Sequence, residues 1–167
     1  LDNDTSDLPV VIVNAVWHES NKPSRISFDS VEGGAHFEQV FVDRSISTIC
    51  KIASKREVWL TRPIPTAGVN VPEQLSRDLL LGRVDKEQAQ DIRFPLTTYH
   101  EKASFIWKVQ DEIAKKCGVK ILDPLPYLCK GEYCYGSRDL RPLYYDGSHL
   151  NEYGNKFLVP MFEQIFR

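Results

Sequence analysis

Near-continuous apolar and β-branched residues fill Leu8-Pro9-Val10-Val11-Ile12-Val13-Asn14-Ala15-Val16-Trp17, the pattern of a strand buried on both faces of a parallel sheet. The polar stretch His18 to Ser24 then leaves the strand's C-terminal end, where α/β sheets place their sites. After the break at Gly33-Gly34, Phe37, Val40, Phe41, Ile46, Ile49, Ile52 and Ala53 recur at helical spacing, which predicts an amphipathic helix over about 36–53. Glu57 to Thr61 is a short strand, halted by Arg62-Pro63-Ile64-Pro65. A short helix follows, with Pro72 in its first turn and Gly82 at its end. Beyond the charged connection Arg83 to Arg93, Thr98 and Glu101 have the spacing of a capping box. Ala103, Ile106, Val109, Ile113 and Ala114 form an apolar stripe that ends at Gly118. Val119 to Asp123 is a third strand, followed by an irregular segment to Tyr145. A last helix begins near Asn151, bent at Pro160. Strands alternating with helices predict an α/β fold, with a parallel sheet between helical layers.

Composition adds little to this and removes several function classes. At 167 residues and 42% hydrophobic, the chain suits one domain with a single core. A net charge of -2 gives no reason to expect a nucleic-acid partner. No apolar run approaches the roughly 18 residues that cross a bilayer. The acidic opening Leu1 to Asp7 has none of the marks of a signal peptide, so an export signal is expected outside these residues. Cys129 and Cys134 close a small loop around Gly131. A disulfide fits that spacing, whereas zinc needs two further ligands that no second Cys or His pair provides. The disulfide reading points to an oxidising compartment, and no metal or other cofactor is expected. Cys50 and Cys117 fall in the helices and read as buried thiols.

The candidate chemistry lies near the C-terminus, in Tyr145-Asp146-Gly147-Ser148-His149-Leu150-Asn151-Glu152-Tyr153-Gly154. An Asp and a His three apart, joined by Gly and Ser before an apolar helix, can set a carboxylate against an imidazole in one tight turn. Such a carboxylate fixes the ring's tautomer and stabilises the imidazolium formed when the other nitrogen takes a proton from a nucleophile. The spacing alone is weak, since any two polar residues at a helix entrance can match it. In an open parallel sheet, however, this segment would lie on the rim made by the strands' carboxyl ends, which His18 and Arg62 would also approach.

Asp146-Gly147-Ser148-His149 resembles the D-x-x-H block of the SGNH hydrolase superfamily. Together with Leu150 to Gly154, the segment from Arg62-Pro63-Ile64-Pro65 to Asn70-Val71-Pro72, the Val11 to Trp17 strand and the Cys129/Cys134 loop, it resembles more narrowly the C-terminal SGNH domain of bacterial type-three membrane O-acyltransferases. The resemblance runs from about Pro9 to Phe166. It implies a three-layer, flavodoxin-like α/β/α fold, His149 as general base and Asp146 as its orienter. It further implies an extracytoplasmic or periplasmic domain tethered to the inner membrane, with a membrane acyltransferase domain fused upstream and a cell-envelope polysaccharide as acceptor of an acetyl group.

Two departures from the family pattern matter. The family's nucleophile is a Ser in a Gly-Asp-Ser block after the first strand, and no Gly-Asp-Ser occurs here; Phe28-Asp29-Ser30 follows a polar loop and is a poor substitute. Residues 1–167 are therefore expected to be the C-terminal part of one SGNH-type domain whose first strand and serine precede Leu1. The oxyanion-hole block would fall on Ala15-Val16-Trp17-His18, which lacks the amide donor. Asn14 is a weak replacement, and backbone hydrogen bonding explains it equally well. Trp17 and His18 are candidate substrate residues, as is Arg62 for an anionic sugar; packing, solvent exposure and a surface ion pair are their plain alternatives. Tyr127, Tyr133, Tyr135, Tyr144 and Tyr145 either stack against carbohydrate or pack the stapled loop. The function expected is serine-dependent O-acetylation of a polysaccharide. Its rivals are a free-standing SGNH carbohydrate esterase and a non-catalytic glycan-binding domain of the same fold.

Overall fold

The structure, a computed structural model, describes residues 8–13, 35–82 and 91–167. Contacts divide the chain into two units, residues 1–63 with 102–122 and residues 64–101 with 123–167.

In the first unit, strands β1 (Val10–Val13), β2 (Val58–Thr61) and β4 (Lys120–Leu122) form a parallel sheet in the order β1-β2-β4. Val10 pairs with Val58 and Trp59 with Lys120. All four residues of central β2 are buried, whereas β1, whose apolar run predicted burial on both faces, is only partly buried and ends on the exposed Val13, because among the described residues it pairs on one side only. Helices α1 (Ala35–Ala53) and α3 (Leu96–Cys117) cover the sheet. Val58 and Leu60, two apart and so on one face, share a core with Val109 and Ile113 of α3, against which Phe41, Ile46 and Ile49 of α1 also pack. Both helices therefore lie on that same face. Each fully buried aliphatic side chain in this core contributes about 1.5–3 kcal/mol.

Cys50 and Cys117, at the ends of these two helices, are joined in a disulfide rather than being free thiols. They belong to different helices, 67 residues apart, and periodicity along one helix carries no sign that their ends meet. A covalent link over so long a loop typically stabilises by about 2–4 kcal/mol, mainly by restricting the unfolded chain.

In the second unit, α2 (Val71–Leu80) is capped by Asn70, whose side chain accepts the Glu73 backbone N–H at 3.2 Å, and Gly82 follows its end at φ +61°. β3 (Arg93–Pro95) runs directly into α3, which starts at Leu96, where the backbone N–H donates to the Glu132 carbonyl at 2.8 Å. Thr98 is thus inside the first turn and is not the N-cap that the Thr98/Glu101 spacing predicted, because a carbonyl from another segment already satisfies the entrance. The segment expected to be irregular is built from short elements. α4 (Leu125–Leu128) leads to the hairpin of β5 (Cys129–Lys130) and β6 (Tyr133–Tyr135), which β3 joins as a third antiparallel strand; β7 (Ser137–Arg138) and β8 (Arg141–Pro142) form a second hairpin. The Cys129–Cys134 disulfide forms, and it links directly paired residues of β5 and β6. The final helix is divided into α5 (Glu152–Lys156), α6 (Val159–Phe162) and a 3-10 turn over Glu163–Phe166. Pro160 lies in the first turn of α6, where a proline is tolerated, so it starts a helix rather than bending one. Among the described residues, no helix is long and apolar enough to cross a membrane.

Candidate functional site

The turn carrying Asp146 and His149 is closed from below. Tyr144 bridges Leu150, the Tyr145 N–H donates to the His149 carbonyl at 3.0 Å, and the Asn151 N–H donates to Leu143 at 2.9 Å. Asn151 caps α5 through the Gly154 N–H and donates its amide to the Pro142 carbonyl. Tyr144 is fully buried, and its hydroxyl donates to the Pro65 carbonyl at 2.7 Å; burial pushes its phenol pKa up.

Two glycines permit this closeness. A Cβ on Gly154 would sit 2.1 Å from the Leu143 carbonyl oxygen, and one on Gly147 2.8 Å from that of Val69. The Pro-rich loop meets the turn at this point: the Ala67 N–H donates to Gly147 and the Val71 N–H to Asp146, both to backbone carbonyls. The loop and the block that the sequence singled out separately are thus parts of one construction.

Within the turn, one carboxylate oxygen of Asp146 accepts the backbone N–H groups of Ser148 at 2.7 Å and His149 at 2.8 Å. Its other oxygen lies 2.7 Å from His149 Nδ1. These contacts, the Ser148 backbone first, then the His149 backbone and ring, lower the Asp146 pKa to about 2. A carboxylate facing Nδ1 requires a proton there, which leaves Nε2 with its lone pair outward. The ring of Tyr145 stacks on that of His149 at 5.4 Å between centroids and 19° between planes, which restrains the imidazole's rotation. The His149 side chain is 64% exposed, and among the described residues no hydrogen bond engages Nε2. The arrangement is that of a base with one nitrogen oriented and the other open.

Because the folded pKa lies below the unfolded one of about 3.8, the ionised carboxylate favours the folded turn above the unfolded value. That contribution is lost as pH falls through about 2. A carbon-13 NMR titration of the Asp146 carboxyl is expected to show its midpoint near 2; a midpoint at the ordinary aspartate value would mean that the turn does not hold in solution.

Ser148 places its hydroxyl 3.1 Å from Nδ1, the nitrogen already facing the carboxylate, so it lies on the wrong side of the ring to be attacked through Nε2. Arg62 is the one substrate candidate that the structure removes. Its side chain is 7% exposed, paired with Asp111, bonded to Gln110 at 3.1 Å and the Trp107 carbonyl at 3.0 Å, and stacked on the Trp107 ring. A guanidinium committed to α3 in this way has no charge to offer a sugar. Asn14, Trp17, His18 and Ser30 lie outside the described residues. The tyrosines divide: Tyr144 is core, Tyr145 flanks the histidine, Tyr127 accepts from Gln164, and Tyr133 and Tyr135 stand on β6. Tyr145 was legible only as one aromatic among five, because a stacking partner has no signature in spacing.

The fold matches the solved periplasmic domain of a lipopolysaccharide acetyltransferase from Salmonella ser. Paratyphi A with a TM-score of 0.63 at 18% identity, over 95% of this chain and 57% of that one. This chain therefore spans little more than half the length of that structure. No curated protein matches it. The family of SGNH domains fused to AT3 domains matches residues 1–164, and the chain accordingly belongs to that SGNH family.

Proposed function

We propose that His149 and Asp146 are the general base and its orienter in a serine-dependent acyl transfer that O-acetylates a cell-envelope polysaccharide outside the cytoplasm. The observation carrying this reading is Nδ1 hydrogen-bonded to the Asp146 carboxylate beside an outward, exposed Nε2. The family's fusion to AT3 domains, the lipopolysaccharide acetyltransferase from which the Salmonella domain comes, and the two disulfides all support the finer assignment. On this reading a membrane acyltransferase part precedes the domain, as does the serine, because this sequence has no Gly-Asp-Ser.

In the first half-reaction, Nε2 takes the serine proton as the oxygen bonds to the acyl carbon, and the imidazolium returns that proton to the departing donor oxygen. In the second, Nε2 deprotonates a sugar hydroxyl, whose oxygen attacks the acyl-serine; the new ester forms and the serine regains its proton. Asp146 holds the ring throughout and stabilises its charged form. The test is to give the full-length protein an activated acetyl ester with and without a polysaccharide acceptor, following glycan acetylation by NMR. Acetate esters are expected on the glycan. Free acetate alone, at a rate indifferent to the glycan, would make the protein an esterase.

A further inference from the structure

The three-stranded sheet β3-β6-β5 has one face in the core and one outward. Phe94, Cys134 and Cys129 pair across it on the inner face. The alternate positions, Arg93 opposite Tyr135 and both Pro95 and Lys130 opposite Tyr133, share the outer face. Arg93, Lys130 and Tyr133 are exposed there, and no acidic residue occupies an outer position of these strands. The face continues into the neighbouring hairpin. Arg93 and Arg138 lie over the Tyr135 ring at 5.4 and 5.0 Å, Arg138 reaches Phe157 at 4.4 Å, and Arg141 covers Tyr153 at 4.1 Å. Phe157 and Tyr153 meet edge to face, so cations and rings form one continuous ladder.

A guanidinium held over a ring keeps donors for planar recognition of a carboxylate or phosphate. Arg138 spends one donor on the Tyr127 carbonyl. Among the described residues, the guanidinium groups of Arg93 and Arg141 make no hydrogen bond or ion pair; they meet only the Tyr135 and Tyr153 rings. Of the acids near the face in sequence, Asp91 accepts from the Ser137 hydroxyl at 3.4 Å, Glu132 and Asp139 are exposed at the turns of the β5–β6 and β7–β8 hairpins, and Glu152 is paired with Lys156. We propose that this face docks an anionic saccharide chain, its acid groups on Arg93 and Arg141 and its sugar faces on the exposed ring of Tyr133. Tyr133, 47% exposed and paired across the strands with Lys130, is what favours a sugar over a bare anion. The proposal rests on the reading above that the acceptor is a polysaccharide, and it gives that acceptor a chemical class.

The experiment measures binding of the full-length protein to an oligogalacturonate, to its neutral methyl ester, and to vesicles of phosphatidylglycerol and phosphatidylcholine. The acidic oligosaccharide is expected to bind best, weakening with salt. The double variant Arg93→Gln/Arg141→Gln is expected to lose about tenfold or more, the scale of one lost charge-assisted contact, while its turnover of a small acetyl ester stays at the parent level. Tyr133→Ser, at an exposed position that leaves the ladder intact, should weaken the same binding. Equal affinity for acid and ester, unchanged affinity in the double variant, or preference for the vesicles would each overturn the proposal. His149→Ala is expected to leave binding intact, so parent-level turnover in that variant with binding retained would count against the catalytic reading alone.

Discussion

Replacing His149 by alanine is expected to lower acetyl-ester turnover by the full-length protein by about two orders of magnitude or more, the scale on which a general base acts. The loss should fall on kcat, because the imidazole is needed when the serine proton moves and not when the ester binds. The fold should survive: the ring is mostly exposed, and the turn is closed by the backbone of Tyr145, His149 and Asn151 rather than by the imidazole. Turnover equal to the parent's, measured on a protein with unchanged circular dichroism, would remove the residue from the mechanism.

Asp146→Asn is expected to be comparably severe, roughly 10²–10⁴-fold in kcat, through a different route. Two backbone N–H groups point at one oxygen of the side chain, so the asparagine carbonyl takes that place and its NH₂ turns toward Nδ1. Nδ1 then becomes an acceptor and the proton moves to Nε2. The ring stays in position but in the wrong tautomer to take a proton from serine. Nitrogen-15 NMR of the His149 ring would report that change directly, and it separates this account from simple loss of charge.

How much of this the sequence disclosed depended on the range over which each feature acts. β2 and α1 were legible because a short strand halted by prolines and a helical stripe are local patterns of a few neighbouring residues. The pair Asp146 and His149 was legible for the same reason, its partners being three residues apart in one turn. The start of α3 was misplaced because the partner of its first N–H is Glu132, far along the chain. The Cys50–Cys117 bond and the buried ion pair of Arg62 with Asp111 were hidden likewise, since each joins segments 49 or more residues apart. Strands of two or three residues such as β5 and β8 are too short for alternation to register, and with them the arginines that join Tyr133 and Tyr135 on one face went unread.

The central claim is that Nε2 of His149 serves a serine outside the described residues. It is tested most directly by treating the full-length protein, parent and His149→Ala, with a fluorophosphonate and mapping the adduct by mass spectrometry. The account predicts one modified serine on a peptide that precedes Leu1, with labelling slowed by about 10²-fold or more in the variant. Absence of any labelled serine, an adduct on Ser148, or equal labelling rates in the two proteins would contradict it.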